Sequence, residues 1–217
     1  MISIDVIETG MMGVNCSLVS NLQTKEIFLV DPGDDEETIY GYIKDHDLNL
    51  RAILHTHAHF DHILGTNPLV NRFYPNGNVP IYLHPGDQFL WDNVAMQGQK
   101  FGLSFPGQNL RVTHQLHHNE ILNLCGLQVR VLNTPGHSPG SCTFLIDEVS
   151  PPVLICGDVL FHGSIGRTDL WQGDFNTLIR SIRDHILTRS DETRIIPGHG
   201  PETTVGEERT NNPFLGT

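Results

Sequence analysis

Thr56-His57-Ala58-His59-Phe60-Asp61-His62 is the stretch of this 217-residue chain that constrains it most. With histidine at ~6% and aspartate at ~7%, an H-x-H-x-D-H run is expected by chance roughly 0.003 times in this length, so it demands a chemical explanation. In an extended segment, side chains two apart point the same way, so His57 and His59 can grip one ion. Asp61 and His62 come at the turn into a helix and aim at a neighbouring point. Imidazole together with carboxylate suits zinc, iron or manganese rather than magnesium or calcium. Ordinary polar residues at a helix start would not need this spacing.

Outward from the motif, short apolar runs alternate with helical patterns. Arg51-Ala52-Ile53-Leu54 reads as a buried strand that runs straight into it, and 63–71 as the helix that follows. Upstream, 3–7, 16–20 and 27–30 read as strands, the last ending at the Asp31-Pro32-Gly33 turn. Residues 36–46 place Ile39, Tyr42 and Ile43 on one helical face. Downstream, strands are predicted at 79–83, 127–132, 142–146, 153–155 and 194–196. Between the first two of these, 85–119 is polar and weakly periodic, with Phe89-Leu90-Trp91 as a helical turn that packs or gates something. Asp174 caps a helix whose apolar stripe is Phe175, Leu178, Ile179, Ile182 and Ile186. Two strand-rich halves interleaved with helices predict an α/β chain, one domain over 1–217, with two sheets and helices outside. Asp31, His57, His137, Asp158 and His199 each follow an apolar run, where strands display site-forming loops.

Composition narrows the function classes. Lys plus Arg number 13 against 25 Asp plus Glu, a net charge of −12, and nucleic-acid binding would need a clustered basic face. At 38% apolar and 18% charged, the chain is too apolar to be disordered. No run approaches the ~20 apolar residues of a membrane span, and Met1-Ile2-Ser3-Ile4-Asp5 lacks the basic start of a secretory signal. Cys16, Cys125, Cys142 and Cys156 form no C-x-x-C pair, and three lie in or beside apolar runs, so they are expected to be reduced and buried. The expectation is a cytoplasmic protein, a monomer or small homo-oligomer, with a small-molecule substrate and no nucleic-acid or membrane partner.

Three further residues stand after strands beside Gly or Pro, where the backbone turns sharply and a small neighbour leaves room for a ligand. They are His137 in Thr134-Pro135-Gly136-His137-Ser138-Pro139-Gly140, Asp158 in Cys156-Gly157-Asp158, and His199 in Pro197-Gly198-His199-Gly200. Singly, each is weak. In this order, from Asp31 to His199, the motifs resemble the metallo-β-lactamase superfamily. The resemblance implies a four-layer αβ/βα sandwich of two mixed sheets with helices on the outer faces. It implies two metal ions, zinc in the first place with iron or manganese as alternatives. His57, His59 and His137 would hold one, Asp61, His62 and His199 the other, and Asp158 would bridge them. His55 could support a ligand from behind, yet like His46, His84, His114, His117, His118 and His185 it is read as a surface residue.

Departures from the pattern choose among branches. Dinuclear β-lactamases are expected to carry Cys where Asp158 stands, which argues against antibiotic hydrolysis. Flavodiiron proteins carry Glu where His59 stands, and the RNA-processing branch adds a large domain and a basic surface. The stretch from Phe161 to Asp169, Gly173-Asp174, and the closing Pro197–Arg209 with Asn212-Pro213-Phe214 are similar to compact, single-domain glyoxalase II-type hydrolases. Gly166-Arg167-Thr168-Asp169 also resembles persulfide dioxygenases, which hold one iron. The resemblance therefore implies hydrolysis of S-D-lactoylglutathione or a related hydroxyacyl thioester by hydroxide generated at two metals. Asp61 would be both ligand and the catalytic acceptor that orients the hydroxide. A thiolate, with a pKa of ~8.5, leaves without a strong general acid. Arg167 is read as an ion-pair partner of Asp169 that pins its loop or, alternatively, as a substrate-binding residue. The residues after His199 are too few for the helical domain that recognises glutathione in longer glyoxalase II enzymes. A persulfide dioxygenase and a lactonase are the alternative activities.

Overall fold

Apolar runs buried on both faces form the centres of two six-stranded sheets in the computed structural model of the chain, which describes residues 1–75 and 79–216. The first sheet runs in chain order: β1 (Ile2–Thr9), β2 (Val14–Asn21), β3 (Glu26–Val30), β4 (Asn49–Leu54), β5 (Ile81–Leu83) and β6 (His114–Gln115). Its first two pairings are antiparallel and the remaining three parallel. The second sheet comprises β7 (Ile121–Leu124), β8 (Leu127–Asn133), β9 (Cys142–Ile146), β10 (Val153–Gly157), β13 (Arg194–Pro197) and β14 (Thr203–Thr204), ordered β14-β13-β10-β9-β8-β7. Only β10 and β13 pair in parallel. A small hairpin of β11 (Leu160–Phe161) and β12 (Ser164–Ile165) stands apart.

Three apolar layers separate four layers of secondary structure. Between the sheets, Val19, Phe28 and Leu54 of the first meet Val131, Phe144 and Ile155 of the second. The other face of the first sheet packs Ile27, Leu29 and Ile53 against Ile39 and Ile43 of α1 (Glu36–Asp45) and Leu69 of α3 (Thr66–Phe73). The outer face of the second packs Leu145, Leu154 and Ile195 against Leu178, Ile182 and Ile186. Fully burying such side chains stabilises by about 1.5–3 kcal/mol each, and continuous burial on both faces explains why β3, β9 and β10 carry no polar alternation.

The remaining helices are α2 (Phe60–Ile63), α4 (Gln88–Asp92), α5 (Val94–Lys100), α6 (Phe175–Ser181) and α7 (Val205–Asn211). Several expectations shift. The helix predicted over 63–71 is two, α2 and α3, with the break at Gly65, where a Cβ would lie 3.0 Å from the Gly33 carbonyl. The strand predicted from 79 begins at Ile81, because Pro80 has no N–H for the ladder. The Asp174-capped helix widens into a π-helical turn over Ile182–Ile186; Leu178, Ile182 and Ile186 of the expected stripe are buried and Ile179 half-buried, but Phe175 in its first turn is exposed. All four cysteines are free and buried; burial pushes Cys125 and Cys156 up to about 12, which leaves them as unreactive thiols. Among the described residues no helix is long and apolar enough to cross a membrane.

Candidate metal centre

The strand ends converge at one edge where the two sheets meet. The loop after β4 delivers His57 and His59, and the first turn of α2 delivers Asp61 and His62. The second sheet contributes His137 from the β8–β9 loop, Asp158 after β10 and His199 after β13. The sheets are stitched here directly: Asn15 N–H donates to Gly198 O at 2.7 Å, and the Asn15 amide to Pro197 O and Gly200 O at 3.0 and 2.8 Å.

All seven predicted residues come together. One group is His57, His59 and His137, almost fully buried, and a second is Asp61, His62 and His199, opening towards solvent. Asp158 reaches both, with Oδ1 3.3 Å from His62 Nε2, and Oδ2 3.6 Å from both His137 Nε2 and His199 Nε2.

Hydrogen bonds on the far side of each ring decide what the near side offers. His137 Nδ1 donates to Arg167 O at 2.8 Å, and His199 Nδ1 to Met12 O at 3.0 Å. His62 Nδ1 donates to Asp31 Oδ2 at 3.0 Å. Thr56 Oγ1 gives its only hydrogen to Asp31 Oδ2 at 2.5 Å, so it accepts from His57 Nδ1 at 3.0 Å. These four bonds thus turn each ring's Nε2 inward, as the atom it would offer to an ion. They face one another and the carboxylates: His137 Nε2 lies 3.2 Å from His57 Nε2 and is in hydrogen-bond contact with His59 Nδ1 at 2.7 Å, while His59 Nε2 is buried without a partner among the described residues. His62 Nε2 and Asp158 Oδ1 are buried with no hydrogen-bond partner among the described residues. Such an arrangement is repulsive until positive charge enters it, and imidazole with carboxylate is the donor chemistry of zinc and iron, so the residues fit two metal ions. Burial and the surrounding histidines hold His57 and His59 well below the usual histidine range, which keeps their lone pairs free. Burial opposes protonation of His62 too, but the Asp158, Asp61 and Asp31 carboxylates outweigh it and raise the ring well above its ordinary value.

Two residues outside the predicted set hold the loops. Asp31, at a left-handed φ of 51°, accepts from Thr56 N–H at 2.8 Å as well as from Thr56 Oγ1 and His62. Burial pushes its carboxyl up, but His62 and His55 bring it down to about 2. Asp87 staples the two buried loops. It accepts from Ala58 N–H at 3.0 Å, Ser138 Oγ at 2.7 Å and Gly140 N–H at 2.6 Å. Gln97 of α5 adds bonds from Phe60 N–H at 3.1 Å and to Ala58 O at 2.9 Å. The polar insert 85–119 is therefore the brace of the H-x-H loop, a role that isolated polar residues without periodicity do not announce in sequence. His55 is not a surface residue: it is fully buried, 3.7 Å from Asp31 and 3.2 Å from Thr66 Oγ1, because its strand alternation points it into the helix-side core.

Glycine and the closing segment complete the fit. A Cβ at Gly198 would lie 2.1 Å from Asp158 Oδ1 and 2.8 Å from His62 Cε1, so only glycine lets the second group close. In α7 the buried Glu208 carboxylate accepts from Gly163 N–H at 3.0 Å and Asn212 Nδ2 at 2.7 Å. Asn212 also donates to Ser164 O at 3.1 Å, which fixes the β11–β12 hairpin just before Arg167. The Arg167 side chain makes a bidentate pair with Asp169, at 2.7 and 2.8 Å, with both side chains more than half exposed. Above the metal groups lies a cleft walled by Met12, Phe60, Phe101, Leu170, Trp171 and Arg167.

Residues 9–199 match the model of the metallo-beta-lactamase superfamily, and the chain belongs to that family. It is 39% identical over 214 residues to hydroxyacylglutathione hydrolase GloC of Haemophilus influenzae, a match spanning 98% of each chain. The structure of a B3 metallo-beta-lactamase, BLEG-1, superposes with a TM-score of 0.91 at 36% identity, covering 99% of this chain and all of that one. TTHA1623, solved in a di-iron-bound form, superposes with a TM-score of 0.86 at 37% identity over 97% of this chain and all of that one. The four-layer sandwich and the family expected from the motifs both hold.

Proposed function

We propose that the chain is a dinuclear metallo-hydrolase that cleaves S-D-lactoylglutathione or a related hydroxyacyl thioester. The observation that carries the two-metal reading is Asp158, whose two oxygens face both groups of inward lone pairs. His57, His59 and His137 would hold one ion and Asp61, His62 and His199 the other, with Asp158 shared. Bound there, the metals would supply hydroxide near neutral pH and polarise a carbonyl. The relative named hydroxyacylglutathione hydrolase supports the thioester as substrate. We take zinc as the metal, and the di-iron form of TTHA1623 makes iron the comparison.

The chain's own residues do the rest. Asp61, partly open to the cleft, orients the attacking oxygen. Phe60, Phe101, Leu170 and Trp171 limit water around the reacting carbonyl. The leaving thiolate needs no strong acid, and the cleft lining supplies none beyond the metal-facing groups. Four free, buried thiols support a cytoplasmic location.

The test combines metal analysis with a panel of S-D-lactoylglutathione, a lactone, a β-lactam and glutathione persulfide, the last with an oxygen electrode. We expect two metal equivalents and thioester cleavage, both lost in His57→Ala and Asp158→Ala with the fold retained. One iron per chain with oxygen uptake on persulfide would replace the hydrolase reading with a dioxygenase one. The β-lactam belongs in the panel because BLEG-1, 36% identical to this chain, is a B3 metallo-beta-lactamase.

A further inference from the structure

The loop that walls the cleft beside His59 carries two adjacent backbone outliers. Trp171 has φ 31° and Gln172 φ 68°, in the region that side chains other than glycine seldom adopt. A bulky aromatic stays there only where its surroundings over-determine it. Here Gly173 N–H donates to Leu170 O and Asp174 N–H to Gly136 O, each at 2.8 Å, and the latter ties the loop to the one carrying His137. The indole is held 5.1 Å from the His59 ring and 6.2 Å from Phe101, centroid to centroid. Lys100, the last residue of α5, places Nζ 5.4 Å from the indole centroid, within cation–π range.

The two cations at this rim differ in availability. Arg167 is engaged by both oxygens of Asp169. The Lys100 ammonium makes no ion pair or side-chain hydrogen bond among the described residues; Asp169, whose carboxyl it helps to hold down, is already engaged by Arg167, and the chain's net charge is −12. An exposed ammonium resting on an aromatic face is weakly held and transfers readily to a carboxylate, which satisfies it better.

We propose that Trp171 and Lys100 form the site for the leaving-thiol half of the substrate. The indole supports the chain beyond the sulfur, and Lys100 takes a terminal carboxylate. This rests on the thioester reading above and narrows it to thioesters of thiols that carry a carboxylate. The centroid steps of 5.1 and 5.4 Å, laid end to end, put the ammonium no more than about 10.5 Å from the His59 ring. An extended chain of about two residues at ~3.5 Å each, closed by an ion contact of ~3 Å, spans that distance. The carboxylate therefore belongs no more than about two residues beyond the reacting centre, a reach that a cysteinylglycine-type thiol meets.

The test uses two lactoyl thioesters of equal length, one of N-acetylcysteinylglycine and one of its C-terminal amide, on zinc-loaded protein. We expect wild type to favour the acid over the amide by about fivefold in kcat/KM, through KM. That ratio should fall towards one in Lys100→Gln and at high salt, with the melting temperature unchanged. A ratio near one in wild type, or the same ratio in Lys100→Gln, overturns the site. A separate arm titrates S-methyl-N-acetylcysteinylglycine, which has no bond to cleave, against indole fluorescence, with Trp171→Phe leaving only the buried Trp91 as a reporter. Lys100-dependent binding without cleavage of either thioester would uphold the carboxylate site and refute the hydrolase reading. Cleavage of both thioesters with no Lys100 dependence would do the reverse.

Discussion

Replacing Asp87 by alanine tests whether the insert braces the metal loops. The change removes the acceptor of two buried backbone donors, Ala58 N–H and Gly140 N–H, and of the Ser138 hydroxyl. The hydroxyl has Ser141 Oγ at 2.8 Å as a second partner, but the two amides have none. Each orphaned buried donor costs about 1–3 kcal/mol, so the loss is about 4 kcal/mol in all. For a chain of this size about 2–4 °C follows each kcal/mol, which gives a melting point lower by roughly 8–16 °C. The same change frees the H-x-H loop from the His137 loop, so zinc affinity should fall by about 10- to 100-fold, the usual effect of losing a group behind a ligand. Melting of metal-free and zinc-loaded protein, with a competing chromophoric chelator, reads both quantities. The melting-point loss must persist without metal, because the orphaned donors are backbone groups. Asp87→Asn, which keeps one acceptor, should recover about half. An alanine variant within about 2 °C of wild type, with undiminished zinc affinity, would refute the brace.

Arg167→Ala should leave the melting point essentially unchanged, since the pair with Asp169 is more than half exposed on both sides; a clear drop would show that the pair pins its loop. Gly198→Ala should cost metal in the second group, measured as equivalents bound after dialysis, because its Cβ would collide with Asp158 and His62; two equivalents retained would contradict the fit. Metal loading near pH 7 should release protons, because His62 and His199 are both raised above the ordinary histidine value and must surrender Nε2 to an ion. Apparent affinity then rises with pH until those raised values are passed, and calorimetric heats should depend on the ionisation enthalpy of the buffer. Buffer-independent heats would count against protonation of the metal-free site.

Much of this architecture was legible where burial leaves a compositional mark. Strands such as 27–30, 142–146 and 153–155 are buried on both faces, so they read as unbroken apolar runs. The H-x-H-x-D-H spacing located four of the seven residues that converge, and the other three, each weak alone, came from the family resemblance. What escaped notice lacks such a mark. β11, β12 and β14 are two residues long, too short for any period, and β7 alternates so briefly that it looks like loop. Asp87, Gln97 and Glu208 act through single hydrogen bonds to backbone donors and acceptors far away in sequence. The helix break at Gly65 depends on how closely the Gly33 carbonyl approaches, which only the tertiary structure decides.

The division of donors between the halves sets an order in time. During synthesis His57, His59, Asp61 and His62 emerge together, well before His137, Asp158 and His199. The first sheet's half of the chain thus offers only part of each of the two proposed ligand sets, and His137, Asp158 and His199 complete them from the second. Any discrimination between metals would need both sheets docked, because β13 lies beside β10 and brings His199 against the β1–β2 turn. An ion held by the first sheet's donors alone would lack the ligands that confine it, so the identity of a retained metal would be decided by the docked sheets and not by the H-x-H-x-D-H segment that meets it first.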